Sequence, residues 1–138
     1  MEFDLNLAIA QNNENPVYYI QNAHVRCAGI FRMAAERGFA DDGADLSLLG
    51  PDETTFLRQV LKMPEMITRA VEEMAPHQLA FFALDTARIF HPLYDNVRVF
   101  HSEVPEDVAR ARLRFYRAAK VVFRRLLTLM GMSAPDFM

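Results

Sequence analysis

The sequence is poor in cysteine and glycine, and the scarcity of each excludes certain structural features and binding sites. Its 138 residues include a single cysteine, Cys27, so an internal disulfide and a zinc site built on several cysteines are both excluded. Only five glycines are present, and they form no glycine-rich phosphate-binding loop. No apolar run approaches the roughly 20 residues of a membrane span. The acidic N-terminus does not resemble a secretory signal, so we expect a cytoplasmic protein.

Apolar residues recur at spacings of three and four along most of the chain, which predicts helices and not strands. A lead-in segment occupies residues 1–14, and loops are expected at residues 41–50 and 96–104. Pro92 should kink or break the helix in which it lies, because it lacks an amide proton. The helices are predicted to begin near Pro16, Pro51, Pro64, Pro76 and Pro105. We therefore predict one all-α domain over residues 1–138, a bundle of about five helices.

Positive charge is concentrated near the C-terminus, although the formal net charge of the chain is −3. Residues 108–135 contain seven basic residues and no acidic one, which leaves −10 for the rest of the chain. The helical periodicity predicts an apolar stripe made of Phe115, Ala118, Ala119, Val122, Leu126 and Leu129. The cations predicted on the opposite face are Arg110, Arg117, Lys120 and Arg124. Such a face could contact nucleic-acid phosphates, or it could simply be solvated.

Arg112 is predicted to differ from the other cations of this helix, because it falls near the edge of the apolar stripe. We expect it to be a structural arginine that pairs with a carboxylate or with carbonyl oxygens at a helix end. Asp85 is one candidate partner.

Rings and polar groups are concentrated at the start of the first long helix, in the segment Asn15-Pro16-Val17-Tyr18-Tyr19-Ile20-Gln21-Asn22-Ala23-His24-Val25-Arg26. Tyr19, Ala23 and Cys27 follow one another at intervals of four and so share a helix face. A ring beside two small side chains could hold a flat group, as when RNA bases stack on aromatic residues. The same spacing suits ordinary core packing. The four histidines show no metal-ligand spacing, so neither a metal site nor a small helical enzyme is expected.

Three blocks of sequence, in order along the chain, resemble the anticodon-binding domain of arginyl-tRNA synthetases, known as the DALR domain. The first joins residues 3–8 to residues 15–26. The second joins residues 75–87 to residues 90–94. The third runs from residue 111 to residue 138 and ends with Ser133-Ala134-Pro135-Asp136-Phe137-Met138, where the family typically has a similar closing motif.

The resemblance implies a helical bundle that docks on the anticodon loop of arginine tRNA. In the family, the positions matching Tyr19 and Ala23 help to form the pocket for the middle anticodon base, and the position matching Cys27 lies beside them. The terminal methionine, here Met138, is brought to that pocket. An aromatic residue in the stretch from Tyr94 to Phe100 also contributes. The chain departs from the family pattern at several positions, among them Asn22, Pro92 and Val97.

Neither of the two ATP motifs of a class I synthetase catalytic half is present in the sequence. We therefore expect no aminoacylation by this chain alone and no cofactor, since ATP and arginine would be used by a catalytic domain that the chain lacks. The expected partner is arginine tRNA, with a synthetase catalytic domain as a further partner and neither DNA nor a membrane. Such a chain would be an excised domain or a free-standing relative. The alternative is a helical protein-interaction module derived from the same domain.

Overall fold

The computed structural model describes residues 2–138, which form six α-helices and one short 3₁₀ helix, with no strand. In chain order these are α1 (Leu5–Ile9), α2 (Pro16–Glu36), the 3₁₀ helix (Leu46–Leu48), α3 (Pro51–Leu61), α4 (Met63–Glu72), α5 (His77–Asn96) and α6 (Glu106–Leu129). All except α1 and the 3₁₀ helix have between 10 and 24 residues. The predicted all-α bundle of about five helices is confirmed. No helix within residues 2–138 is long and apolar enough to cross a membrane.

Asn15 joins the lead-in segment to α2. Its side-chain oxygen accepts a hydrogen bond from the backbone N–H of Val17 at 3.0 Å, which caps the helix ahead of Pro16. Its side-chain nitrogen donates to the carbonyl oxygens of Ala8 and Ala10 at 3.1 and 2.9 Å. One buried amide therefore sets both the start of α2 and the position of the preceding segment.

The core lies between α2, α5 and α6, and α3 closes it from the side. The rings of Phe56, Phe90 and Phe123 are fully buried and meet with centroids between 5.0 and 6.0 Å apart. Each ring comes from a different helix, so their contact fixes how α3, α5 and α6 pack together. Burial of each ring is worth about 1.5–3 kcal/mol relative to exposure.

Pro92 does not break the helix in which it lies, because α5 continues through this residue to Asn96, and a kink there stays a prediction. Pro92 faces solvent, whereas Phe90 and Leu93 on either side are 0% and 4% exposed. A proline inside a helix removes one backbone hydrogen bond. Packing of the neighbouring side chains into the core holds the last turns of α5 despite that loss.

The buried face of α6 is rotated relative to the predicted stripe. Ala118 and Leu129 are exposed, whereas Leu113, Tyr116 and Phe123 are almost fully buried. The reason is that α6 packs against α2 on one side and against α3 and α5 on the other. Its buried face is therefore wider than a single amphipathic stripe.

Arg112 is a structural arginine, as expected, but Asp85 is not its partner. Its Nη1 donates to the carbonyl oxygen of Arg98 at 2.8 Å, and its Nε lies 3.8 Å from the carboxylate of Glu53, which is buried. Asp85 instead pairs with Arg88 one turn along α5.

Candidate nucleic-acid interface

Tyr19 and His91 connect α2 to α5 at the site expected to bind a base. The Nε2 of His91 lies 2.9 Å from the carbonyl oxygen of Tyr19, to which it donates, and the two ring centroids are 4.3 Å apart. Burial lowers the pKa of His91 below its usual value of 6.5. The imidazole is therefore held in its neutral form against the tyrosine ring, and it fixes where that ring sits.

Ala23 and Cys27, which share a helix face with Tyr19, lie in the core. Both are 0% exposed, and burial raises the pKa of the Cys27 thiol. Neither side chain offers surface to a ligand in this structure. Their predicted part in a base pocket stays a prediction, and the geometry shows them as the support beneath Tyr19.

Tyr94 and Phe100, by contrast, line one cavity of about 270 Å³, here called the Tyr94–Phe100 cavity. The other lining residues are Ile30 and Met33 of α2, Asp95 of α5, and Val97, Arg98 and Val99 of the segment that follows α5. The lining residues therefore include two aromatic, one acidic and one basic residue, beside a space large enough for a flat ring.

Two side chains of α6 hold the segment that forms one side of this cavity. The hydroxyl of Tyr116 donates to the carbonyl oxygen of Val97 at 2.6 Å. Arg112 donates to the next carbonyl, that of Arg98. Because Tyr116 is fully buried, the backbone that carries Arg98 and Phe100 is anchored to the core.

Arginines also lie against the two aromatic rings of the cavity. The guanidinium of Arg26 lies 4.7 Å from the centroid of the Tyr94 ring, and its Nη1 is 3.5 Å from the carboxylate of Asp95. The guanidinium of Arg37 lies 4.8 Å from the centroid of Phe100. The cavity is thus an aromatic site within a cationic setting, which is the character of sites that bind single-stranded nucleic acid.

The C-terminal tail crosses α2 and is fixed to it by backbone carbonyls. Gln21 donates to the carbonyl oxygen of Ser133 at 3.1 Å, and the Nδ1 of His24 lies 2.7 Å from that of Pro135. Arg32 donates to the carbonyl oxygen of Asp136 at 2.7 Å, and its guanidinium lies 4.1 Å from the centroid of the Phe137 ring. These contacts give Gln21, His24 and Arg32 of α2 a role in holding the tail.

Met138 lines a second cavity, of about 330 Å³, with Tyr18, Gln21, Asn15 and residues 9–11. We call it the Tyr18–Met138 cavity. The family resemblance implies that Met138 reaches the pocket of Tyr19, and this stays a prediction; in this structure the neighbouring Tyr18 shares a cavity with Met138. The two adjacent rings point about 100° apart on the helix, and nothing in the sequence showed which of them the tail would meet.

Several of the cations predicted on the face of α6 opposite its apolar stripe pair with carboxylates. Arg117 makes two hydrogen bonds to Asp41, at 2.8 and 2.9 Å, and Arg114 reaches the same carboxylate at 2.9 Å. The hydrogen bonds from Arg117 lower the pKa of Asp41, which is 5% exposed. Arg110 pairs with Glu106 at 2.7 Å, and Lys120 lies 3.6 Å from Asp136.

The basic face of α6 is therefore partly neutralised, by Glu106 on the same helix and by Asp41 and Asp136 from other segments. Within residues 2–138, Arg124 and its neighbour Arg125 have no carboxylate partner. The predicted phosphate contacts of Arg110, Arg117, Lys120 and Arg124 stay predictions.

Residues 20–138 match the family model described as the DALR anticodon binding domain. The chain belongs to this family. It is 38% identical over 146 residues to an arginine–tRNA ligase of Heliobacterium modesticaldum, covering 100% of this chain and 26% of that protein. It is 42% identical over 138 residues to an arginine–tRNA ligase of Paracidovorax citrulli, covering 96% of this chain and 24% of that protein.

The fold agrees with the sequence comparison. A solved arginyl-tRNA synthetase of Thermus thermophilus superposes on 100% of this DALR domain with a TM-score of 0.81 and 28% identity, over 24% of the synthetase chain. The domain thus spans about a quarter of the length of the curated relatives that it matches. The family resemblance drawn from the three sequence blocks is confirmed.

Proposed function

We propose that this DALR domain binds the anticodon loop of arginine tRNA and reads the central anticodon base in the Tyr94–Phe100 cavity. The observation that carries the proposal is this cavity, with two aromatic side chains among its lining residues and Asp95 and Arg98 beside them, in a chain of the anticodon-binding family. RNA loops are recognised when unstacked bases insert between aromatic side chains and hydrogen-bond along their edges. That chemistry also favours a single-stranded RNA loop over duplex DNA.

A single base pocket is sufficient for arginine tRNAs, because all arginine anticodons share a central cytosine. The Tyr18–Met138 cavity would take a different nucleotide of the loop. The nearest residues that line the two cavities on α2, Gln21 and Ile30, are 9 residues apart, which corresponds to about 14 Å of helix. One base cannot bridge that distance, whereas neighbouring nucleotides of a splayed loop can.

The reaction itself would belong to a larger protein. We propose that the domain works with a synthetase catalytic domain, which would use ATP and arginine to charge the tRNA in the cytoplasm. This chain would contribute recognition of the anticodon and no catalytic group. The comparisons give no support to the alternative of a separate protein-interaction module.

Binding of arginine tRNA anticodon hairpins to the 138-residue chain tests the proposal. We expect tighter binding of a hairpin with a central cytosine than of one with a central uracil, at both low and moderate salt. Phe100→Ala should weaken binding, because it removes a wall of the cavity. Phe81→Ala is the matched control, since Phe81 is an exposed phenylalanine near the opposite end of α5. Equal binding of the two hairpins would contradict recognition of the anticodon.

A further inference from the structure

Asp95 is the one carboxylate among the residues that line the Tyr94–Phe100 cavity. It lies in the last turn of α5 directly after Tyr94, and its side chain is 66% exposed. Its Oδ1 is 3.5 Å from Nη1 of Arg26, which is within ion-pair range but long for a hydrogen bond, and no hydrogen bond to Oδ2 is formed within residues 2–138. The carboxylate therefore keeps an oxygen that can accept a hydrogen bond from a ligand.

Arg98 supplies a positively charged hydrogen-bond donor to the same cavity, where Asp95 supplies an acceptor. Its backbone is anchored by Arg112, and its exposed side chain pairs with no carboxylate in the described part of the chain. Asp95 and Arg98 thus line one space without neutralising each other. A ligand that fits both must present a hydrogen-bond donor to Asp95 and an acceptor to Arg98, on a flat body that can lie against Tyr94 and Phe100.

The pairing edge of cytosine has this pattern. Its exocyclic amino group is a donor, and the adjacent ring nitrogen and carbonyl oxygen are acceptors. Acidic side chains accept hydrogen bonds from this amino group when proteins read cytosine. Uracil has a carbonyl oxygen at the same position, which would face the carboxylate of Asp95 without a proton between them. A polar group left unpaired in this way is a strong means of discrimination.

We propose that Asp95 determines specificity for cytosine by accepting a hydrogen bond from its exocyclic amino group, with Arg98 as donor to the acceptor side of the base. This inference rests on the proposed function, because it names the group that reads the base in the same cavity. Arg26 acts as a positioning residue, since its guanidinium lies over Tyr94 and also approaches the Oδ1 of Asp95.

The test uses three anticodon hairpins that differ only at the central position: cytosine, uracil, and 2-pyrimidinone, which is cytosine without the amino group. We expect the unsubstituted chain to bind the cytosine hairpin about tenfold more tightly than either of the others. In Asp95→Ala the preference over 2-pyrimidinone should fall close to onefold. The preference over uracil should be reduced but not abolished, because Arg98 still favours an acceptor at the ring nitrogen, where uracil carries a proton. The 2-pyrimidinone hairpin should bind the variant and the unsubstituted chain nearly equally.

Asp85→Asn is the matched control, because Asp85 is an exposed carboxylate on the same helix that pairs with Arg88 outside the cavity. It should keep the full preference. Thermal unfolding would verify that Asp95→Ala remains folded, which its exposed side chain makes the expected result.

The outcomes separate the inference from the function on which it rests. If the unsubstituted chain prefers cytosine and Asp95→Ala retains the same preference, the role of Asp95 is overturned while anticodon recognition stands. If the unsubstituted chain shows no preference at all, both are overturned. If it discriminates against uracil but not against 2-pyrimidinone, the amino group is not the feature recognised, and the inference alone fails.

Discussion

His91 of α5 donates a hydrogen bond from Nε2 to the carbonyl oxygen of Tyr19 on α2, at 2.9 Å, while the two rings lie 4.3 Å apart. The contact joins the two helices that line the Tyr94–Phe100 cavity. Burial lowers the pKa of His91. The packing of the two helices therefore depends on the protonation state of this imidazole.

The first prediction concerns the pH dependence of folding. A histidine whose pKa is lower in the folded state binds its proton more readily when unfolded. Its stabilising effect is complete above the unfolded pKa of about 6.5 and is lost as pH falls through the lower folded value. We expect the free energy of unfolding, measured with urea, to decrease between pH 7 and pH 5. His91→Leu should flatten this slope.

His77→Leu is the control for that slope, because His77 is exposed at the start of the same helix. It should leave the pH dependence of the unsubstituted chain unchanged. An identical slope in His91→Leu would show that the imidazole is not the titrating group.

The second prediction concerns Asp41, which accepts hydrogen bonds from Arg117 and lies beside Arg114. Asp41→Asn should lower the free energy of unfolding at pH 7 by about 1.5–3 kcal/mol, the range for hydrogen bonds to charged groups. The pKa of Asp41 is below its usual 3.8. Its contribution is therefore present above pH 3.8 and lost as pH falls through the lower folded value. Asp42→Asn, an exposed neighbour, should change stability by less than about 0.5 kcal/mol.

The helical pattern was strong enough to predict the architecture, because proline and glycine mark most of the helix boundaries. It failed at Pro92, where core packing by Phe90 and Leu93 outweighs the loss of one backbone hydrogen bond. The pairing of Tyr18 with the tail could not be predicted either. That contact joins residues 120 positions apart along the chain, and helical periodicity says nothing about such distant neighbours.

For the cations of α6, too, the sequence predicts features within the helix but not contacts with residues far away along the chain. Their clustering is visible in the sequence, and their carboxylate partners are not. Asp41, which binds Arg117, lies in a loop 76 residues earlier, so a helical wheel drawn for α6 alone leaves Arg117 unpaired. The sequence also gave no sign that Asp95 lines the cavity, because an acidic residue near the end of a helix is equally typical of a solvated position.

The third prediction concerns contacts with RNA phosphates. Arg124→Ala should weaken binding of all anticodon hairpins about equally, because a phosphate contact carries no base information. In a plot of the logarithm of the binding constant against the logarithm of the salt concentration, the slope should become shallower by about 0.7–0.9. Arg58→Ala serves as the control, since Arg58 is an exposed arginine on α3. An unchanged slope in Arg124→Ala would show that this residue meets no phosphate.

The last prediction concerns the C-terminal tail. Removing Phe137 and Met138 abolishes the stacking of Arg32 on Phe137, which at an exposed site is worth about 0.5–1 kcal/mol. The hydrogen bonds to the carbonyls of Ser133 and Pro135 remain, so the domain should stay folded. Because Met138 shares its cavity with Tyr18 and not with Tyr94, the shortened chain should bind all anticodon hairpins more weakly. It should keep its preference for a central cytosine.

Met138→Leu is the control for this deletion, because it preserves an apolar side chain of similar size and the terminal carboxylate. Its hairpin affinity should be close to that of the unsubstituted chain. If the deletion instead abolished the preference for cytosine, the terminal methionine would belong to the pocket of the central base, as the family resemblance implies. The tail would then have to move away from Tyr18 when RNA binds, since the nearest residues that line the two cavities on α2, Gln21 and Ile30, lie about 14 Å apart along the helix. The hairpin measurement therefore decides between two arrangements. In one, the tail stays beside Tyr18 and contacts another nucleotide of the loop. In the other, the tail moves on RNA binding and contacts the central anticodon base.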